Sequence, residues 1–381
     1  MSLTARAVRV IAAIAMTCAA TFTQAPALAW SGGPDTSVPA GFKANSVTWL
    51  SAQRGWVLGA AACGKNTCTD VIGTTDAAKT WHLIGTVPAP IVRFGGRPGI
   101  TEIRFATAAV GWAFGPYLFR TTTGGRSWSQ MPIPGGGKQV LALAASPTQT
   151  YAVVTDCAWG TGICLRPLSF WHIPTGARGG WARIPLTLPP NDAADVAVFG
   201  TTVYVVDAQE QFGRPDVFYA STDGRQFTAR PAPCNHHAQG LSLIQAVPMS
   251  ATRVALFCVG NAGSPAPGDA TKSVYTSANT GTTDTYAGAT GPAGVTAQLA
   301  ASPSGNLAVA ALSAGSFLYI NDTHQQAWTM VKGLSTSAGW NDITYVTNSQ
   351  AWVVYRPADL RGTGQLWTTH DAGLHWSVAK L

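Results

Sequence analysis

Charged side chains are scarce in this sequence, and their scarcity limits the partners it can have. Asp, Glu, Lys and Arg make up 11% of the 381 residues, against roughly 25% in an ordinary soluble domain. The formal net charge of +7 is spread along the chain without a basic run, so the sequence does not indicate nucleic-acid binding. After the first thirty residues no run of about 20 apolar residues occurs, and we predict no membrane span in the remainder.

The sequence also lacks the local motifs of most catalytic and cofactor sites. No Gly-rich phosphate loop follows a strand and opens a helix, and no Ser or Cys comes with a recognisable base. The seven histidines show no metal-ligand spacing. We therefore expect neither a cofactor nor a metal, and the sequence does not reveal a reaction.

Turn-forming and aromatic residues are plentiful instead. The 41 Gly and 24 Pro favour many short strands joined by turns over a helical bundle. The 14 Trp, 13 Phe and 9 Tyr supply ample material for a core, which argues against disorder.

The first residues have the pattern of an export signal. Arg6 and Arg9 form a basic start, residues 10–20 are apolar, and the small-residue segment 27–29 precedes Trp30. We predict a cleaved signal peptide over 1–29, a lead-in over 30–44 and a secreted, extracellular protein. An uncleaved membrane anchor is the alternative.

Six cysteines outside the signal segment agree with export, because disulfides persist in oxidising compartments. Fifteen pairings are open to six cysteines. The two short spacings suit bonds across hairpins, and the third pair follows by elimination: Cys63–Cys68, Cys157–Cys164 and Cys234–Cys258. A zinc site is the rival interpretation, since Cys234 is followed by Asn235, His236 and His237, although no second Cys/His cluster supplies the remaining ligands.

A unit of about 50 residues recurs seven times and fills the chain from residue 45 to 381. Each unit has four short strands, and an aromatic residue near the start of the second strand recurs as Trp56, Trp112, Tyr151, Tyr204 and Trp352. Val254 and Leu307 stand at this place in the other two units. The pattern predicts an all-β fold: a single domain forming a seven-bladed β-propeller of four-stranded antiparallel blades. We expect the tryptophans to pack between neighbouring blades.

The turn between the third and fourth strands carries a second motif, Ser/Thr-x-Asp-x-Gly-x-x-Trp. Its Asp can accept backbone N–H bonds across the turn, and its Gly permits a positive φ. The motif residues are Asp76, Trp81, Trp128, Asp223, Phe227, Asp371 and Trp376. These turns resemble the Asp-box of BNR-repeat and sialidase-like propellers, most closely a bacterial BNR-like family, and photosystem assembly factors carry similar blades. The resemblance implies that these residues are structural and lie away from the ligand face.

One face of the predicted propeller carries the longer loops. We call it the upper face: the inner strands begin there, and the turns between second and third strands share it. All three predicted disulfides fall on this face, either to tie down long loops or to keep a binding surface rigid. The candidate ligand-face residues are Arg93, Arg97, Arg104, Glu210, Arg214, Arg356 and Arg361.

Three acids fall near the upper ends of inner strands. Glu102 and Asp342 stand ten residues before Trp112 and Trp352, and Asp195 stands nine before Tyr204. Such acids could supply the acid and base of a glycoside hydrolase, although a solvent-filled channel requires polar strand ends in any case. Sialidases use an arginine triad and a Tyr–Glu pair that find no recognisable counterpart here.

Two hypotheses follow. The first is an exported, non-catalytic, monomeric propeller that binds a protein or a cell-surface glycan through its disulfide-tied upper face. Trp, Arg and Tyr suit such a contact surface. The second is a glycan-processing hydrolase that acts at the channel mouth through Glu102, Asp195 or Asp342.

Overall fold

The computed structural model describes residues 37–92, 97–160, 164–191, 193–209, 213–237, 240–260, 265–313, 315–321, 327–334, 339–356 and 363–381. The predicted signal segment lies outside these residues, as do Arg93, Glu210 and Arg361. Strands within the described residues form seven four-stranded antiparallel sheets. The predicted seven-bladed β-propeller is therefore confirmed.

Each blade is built from one continuous stretch of chain, with its strands paired in chain order. Blade 1 contains β1 (Lys43–Trp49), β2 (Gly55–Cys63), β3 (Asn66–Thr74) and β4 (His82–Val87). Blade 2 contains β5 (Glu102–Phe105), β6 (Gly111–Phe114), β7 (Leu118–Thr121) and β8 (Ser129–Met131). Blade 3 contains β9 (Gln139–Ala145), β10 (Gln149–Thr155), β11 (Pro167–Pro174) and β12 (Ala182–Pro190). Blade 4 contains β13 (Ala194–Phe199), β14 (Thr202–Asp207), β15 (Val217–Ser221) and β16 (Thr228–Ala229).

The remaining three blades follow the same plan. Blade 5 contains β17 (Leu241–Pro248), β18 (Val254–Gly260), β19 (Lys272–Ser277) and β20 (Thr285–Ala289). Blade 6 contains β21 (Thr296–Ala301), β22 (Leu307–Leu312), β23 (Ser316–Asn321) and β24 (Thr329–Leu334). Blade 7 contains β25 (Trp340–Tyr345), β26 (Ala351–Tyr355), β27 (Gln365–Thr369) and β28 (Ser377–Val378). A 3₁₀ turn (Pro134–Gly136) precedes β9, and the short helix α1 (Pro233–His237) precedes β17. No helix in the described part of the chain is long and apolar enough to cross a membrane.

The second strand of each blade is buried on both faces, which explains its apolar sequence. In β2 the side chains alternate: Trp56 and Leu58 pack against blade 2, whereas Val57 packs against blade 7. Seven hydrophobic clusters result, one at each joint between neighbouring blades. Trp56, Trp112 and Trp352 are each at most 2% exposed, so these tryptophans do pack between blades.

The ring closes where blade 7 meets blade 1, and in the described residues each of these two blades consists of four consecutive strands of its own. Trp49 stacks on Trp352 with 4.9 Å between ring centroids, and Trp81 meets both rings edge-on. Val38 and Phe42, which precede β1, pack into the same cluster. The segment before β1, predicted as a lead-in, thus contributes to this joint, and β1 begins at Lys43 rather than at residue 45.

In blades 1, 5 and 7 the turns between third and fourth strands, on the lower face opposite the upper one, share one hydrogen-bond pattern. Asp76 Oδ1 accepts the backbone N–H of Thr80, and Asp371 Oδ1 that of His375, each at 3.0 Å. Burial alone would raise the pKa of Asp76, but hydrogen bonds led by Thr80 outweigh it and lower the pKa to about 2. The eroded turn of blade 5 keeps the pattern, since Asn279 Oδ1 accepts from the N–H of Thr283.

Candidate functional site

The first strands of the seven blades surround a central cavity of about 550 Å³. Glu102, Asp195 and Asp342, which the sequence marked as candidate catalytic acids, all line it, together with Arg104. The structure therefore brings the three acids together around one guanidinium. Arg104 itself lies on β5 inside the cavity rather than among the surface loops.

Two of the three acids are bound by Arg104. Its Nη2 lies 2.6 Å from Glu102 Oε2 and 3.1 Å from Asp342 Oδ1, and its Nη1 lies 3.2 Å from Asp342 Oδ2. Burial lowers the pKa of Arg104, but the charges of Asp342 and Glu102 outweigh this and raise it. Neither carboxylate is positioned as an independent acid or base.

Asp342 connects three blades. Its Oδ2 accepts the hydroxyl of Ser46 at 2.5 Å and the backbone N–H of Val47 at 2.7 Å. It lies where β25 bulges, with φ at +52°, a left-handed conformation that is uncommon outside Gly, Asn and Asp. A strained, buried residue of this kind persists only when its surroundings fix it, and four hydrogen bonds to one carboxylate do so here.

Asp195 has a different environment. Its Oδ2 accepts the N–H of Ala246 in blade 5 at 3.3 Å, and it forms no ion pair within the 4.0 Å limit among the described residues. Enclosure by protein raises the pKa of Asp195 to about 6, although the bond from Ala246 and the charge of Arg104 act in the opposite direction. Its side chain still reaches the solvent of the cavity, so it is half-exposed.

The contact between Asp195 and Ala246 is one of a series around the cavity. In each case a side chain on one inner strand accepts a backbone N–H from the next blade, a geometry that couples neighbours. Gln245 accepts from Leu299, and Gln298 accepts from Asp342. Asp342 in turn accepts from Val47, and Ser46 from Ile103 at 3.1 Å.

The two glutamines of this series were not among the predicted site residues. Gln245 and Gln298 stand nine residues before Val254 and Leu307, the spacing that identified Asp195, but they are neutral amides and not candidate catalytic acids. In blade 3 the residue nine positions before Tyr151 is Ala142, whose side chain cannot accept a hydrogen bond from blade 4.

Three disulfides hold loops of the upper face: Cys63–Cys68, Cys157–Cys164 and Cys234–Cys258. These are the pairings predicted from spacing. Cys234 is therefore not available as a zinc thiolate, and within the described ranges no three His, Cys, Asp or Glu side chains come together as one set of metal ligands.

The upper face is strongly unbalanced in charge. Among its described residues, six basic side chains are exposed: Lys43, Lys65, Arg97, Lys138, Arg166 and Arg214. Against these six bases, Asp156 is the one acid that is exposed among the described residues of this face, and Asp269 is half-buried there. Arg356, at the end of β26, is also half-buried. The turns of the lower face, by contrast, mix Lys79, Arg126 and Arg225 with Asp76, Asp223, Asp284 and Asp371.

An apolar projection stands beside the second disulfide. Leu165, next to Cys164, is 79% exposed, and Trp159 lies half-buried within the disulfide-closed loop. Arg166 is exposed next to them. A large apolar side chain held in water on a crosslinked loop is typical of a contact residue.

Comparisons with known proteins agree with the fold. No family model matches the chain, and no curated protein matches it. Similar solved structures include Saccharomyces cerevisiae Sqt1, at 12% identity over 90% of this chain and 87% of that one, with a TM-score of 0.53. The β-propeller domain of the Trilobed protease from Pyrococcus furiosus, described as having an open velcro topology, matches at 10% identity over 91% and 97%, with a TM-score of 0.50.

A puromycin-hydrolysing peptidase of Mycobacterium tuberculosis is similar at 13% identity, with a TM-score of 0.54, over 91% of this chain but 56% of that larger one. At these identities the likeness shows the β-propeller fold alone, because propellers of one architecture carry many functions.

Proposed function

We propose that the protein is an exported member of the BNR/Asp-box propellers that binds an acidic protein partner through its upper face, without catalysis. The charge imbalance of that face carries the proposal: among its described residues six basic side chains are exposed, against one exposed acid, Asp156. Such a surface attracts an acidic partner over distance and favours its correct orientation. The three disulfides support export, since they form in oxidising compartments.

The apolar projection favours a protein as the partner. Leu165 and Trp159 offer a hydrophobic anchor beside Arg166, and anchors of this kind supply much of the binding energy of protein interfaces. The surrounding charges then supply rate and specificity. The alternative is that this face binds a glycan through its charges and through stacking of sugar rings on aromatic side chains. The test below distinguishes the two partners.

Glycoside hydrolysis has less support. It needs two carboxyl groups either about 5–5.5 Å or about 6.5–9.5 Å apart, with one of them able to act as an acid. Arg104 binds Glu102 and Asp342, which leaves Asp195 without a second carboxylate in a comparable state.

Binding assays with defined probes test the proposal. Fluorescence anisotropy would compare an acidic peptide that contains Leu and Phe, its Lys-substituted counterpart, and a sulfated glycan. A double variant of the upper face, Lys138→Glu with Arg166→Glu, is matched by Lys79→Glu with Arg126→Glu on the lower face; all four side chains are exposed, so folding should be unaffected.

We expect the acidic peptide to bind, the affinity to fall at least about tenfold in the upper-face variant, and salt to weaken it further. The lower-face variant should bind like the wild type. Equal loss in both variants, or no preference for the acidic peptide, would contradict the proposed surface. Binding of the glycan alone would replace the protein partner with a carbohydrate one.

A further inference from the structure

A buried cluster of oxygen atoms lies at the upper end of blade 4, away from the central cavity. Asp207 ends β14, and Gln209 follows two residues later. Asn191 lies in the connection between β12 and β13, and Asp216 directly precedes β15. The side chains of Asp207, Gln209 and Asn191 belong to residues with 0% exposure, and Asp216 is 6% exposed.

Two acceptors of this cluster have no hydrogen-bond partner. Asp207 Oδ1 accepts from Asn191 Nδ2 at 2.7 Å and from Gln209 Nε2 at 2.8 Å. Asp207 Oδ2 and Gln209 Oε1 are both buried and accept no hydrogen bond from the part of the chain that the structure describes. A buried acceptor left unsatisfied is costly, and such groups are rare in native proteins.

Acceptors outnumber donors in the surroundings as well. Asn191 Nδ2, which has two hydrogens, contacts Asp207 Oδ1, the carbonyl of Ala193 at 3.0 Å and the carbonyl of Ala208. Gln209 Nε2 lies 3.5 Å from the carbonyl of Pro190. Among the described contacts, the cluster thus gathers carboxylate, amide and backbone oxygens around the two side-chain NH₂ groups of Asn191 and Gln209.

The charge of Asp207 is also uncompensated. No ion pair of the described residues includes Asp207. Burial raises its pKa to about 6 in spite of the bonds from Asn191 and Gln209, and the neighbouring charge of Asp216 raises it further. An isolated carboxylate inside a protein is expensive unless a cation or a proton neutralises it.

We propose that Asp207 Oδ2 and Gln209 Oε1 are ligands of a Ca²⁺ ion bound at the upper end of blade 4. Ca²⁺ takes carboxylate, amide and carbonyl oxygens in flexible geometry, whereas Mg²⁺ demands a near-ideal octahedron. The absence of sulfur and imidazole from this donor set disfavours zinc and copper. The carbonyls of Pro190 and Ala208 are the nearest further candidates.

The ion would crosslink two upper-face segments that no disulfide joins directly. Through the Pro190 carbonyl it would join the end of β12 to the end of β14 and the turn that follows it. Asp216 extends the link to blade 5, because its Oδ2 accepts the N–H of Leu243 at 2.6 Å. Asn235, next to the disulfide-bonded Cys234, accepts the N–H of Asp216. This inference does not depend on the proposed partner.

The test uses the purified, disulfide-bonded protein after removal of metals with a chelator. Calorimetric titration with CaCl₂ is followed by thermal melts at neutral pH with about 1 mM CaCl₂, MgCl₂ or an equivalent ionic strength of NaCl. The variants are Asp207→Asn and Gln209→Ala, and the matched control is Asp156→Asn, an exposed carboxylate of the same face.

We expect one Ca²⁺ to bind per chain and to raise the melting temperature by about 2 °C, the shift for a ligand at about ten times its Kd. Affinity should fall more than about tenfold in Asp207→Asn and Gln209→Ala and stay unchanged in Asp156→Asn. If a variant does not fold, the wild-type titration alone decides.

Two results would overturn the proposal. One is the absence of binding heat and of a Ca²⁺-specific melting shift in the wild type. The other is a metal-independent protein whose stability, relative to Asp207→Asn, falls as the pH rises from about 4 to about 6, between the ordinary pKa of an Asp and the raised pKa of Asp207, and stays level above; that result would show that Asp207 carries a proton in the folded state and donates it to Gln209 Oε1.

Discussion

Replacing Asp342 with Ala should destabilise the ring more than any other single change in the central cavity. The substitution removes the acceptor of the Ser46 hydroxyl, of the Val47 N–H and of both terminal nitrogens of Arg104. Arg104 would then keep Glu102 as its carboxylate partner. The Val47 N–H would be left unsatisfied beside the cavity.

The magnitude follows from two effects. Removing one partner of a buried ion pair costs about 3–5 kcal/mol, and we take the lower part of that range because the side chain of Arg104 is 29% exposed. Ala at a φ of +52° adds about 1 kcal/mol. An expected loss of about 4 kcal/mol corresponds to a fall of about 6 °C, since a ring of about 340 residues has an unfolding entropy of about 0.7 kcal/mol/K.

Differential scanning calorimetry of three variants separates the effects. In Asp342→Asn, the Asn side chain is compatible with the left-handed backbone and its carbonyl oxygen can still accept from the Val47 N–H. We therefore expect about half the loss of stability that Asp342→Ala causes. Ser46→Ala removes one hydroxyl and should cost about 1 kcal/mol. In an Arg104→Met background, Asp342→Ala should cost clearly less than in the wild type, because the ion pair is already absent.

The reasoning fails if Asp342→Ala melts within about 1 °C of the wild type, or if its cost is the same with and without Arg104. The first result would mean that solvent in the cavity replaces the lost contacts without penalty. The second would mean that the ion pair between Arg104 of blade 2 and Asp342 of blade 7 contributes nothing to stability.

Three further predictions concern single positions. Ala78 holds a φ of +64° where blade 2 has Gly125, so Ala78→Gly should raise the melting temperature by about 1 °C, and Ala78→Val should lower it. Tyr151→Phe removes the hydroxyl that donates to the Gly224 carbonyl at 3.1 Å and should cost about 1 kcal/mol in calorimetry. Lys272 is fully buried and donates to three backbone carbonyls, and burial lowers its pKa from 10.5 to about 8. Between these values the unfolded chain binds more protons, so the stability of the wild type relative to Lys272→Met should rise from pH 8 to pH 10.5, by up to about 3 kcal/mol; a flat or falling difference would contradict the lowered pKa.

The repeat period and its aromatic residues were sufficient to predict the fold. Trp56 and Trp112 mark the second strands, and a strand buried on both faces leaves a continuous apolar run that is easy to recognise. The first strands are harder to locate from sequence: β25 begins at Trp340, two residues before Asp342, the residue that the sequence placed near the upper end of this strand. A bulge absorbs the extra residue there, and its position depends on contacts with neighbouring blades.

The candidate site was predicted only in part. Spacing placed Asp195 and Asp342 on the cavity, but not the binding of Asp342 by Arg104, because that contact joins side chains 238 positions apart in sequence. The exposed Leu165 gave no signal either, since an apolar residue after a cysteine is equally typical of a core. The buried Asp207 was not predicted as a site residue, because the lack of a hydrogen-bond donor for its Oδ2 depends on packing rather than on local sequence.

The joint between blades 7 and 1 has a consequence for how the chain is threaded. Val38 and Ala379, near the two ends of the described ring, pack into the same cluster, and every blade is continuous in sequence. A circular permutant that links these ends and opens at any other joint would keep every strand pairing, at the small entropic cost of one short linker. Topologically the seven joints are therefore equivalent, and closure of the ring is a matter of side-chain packing rather than of chain order.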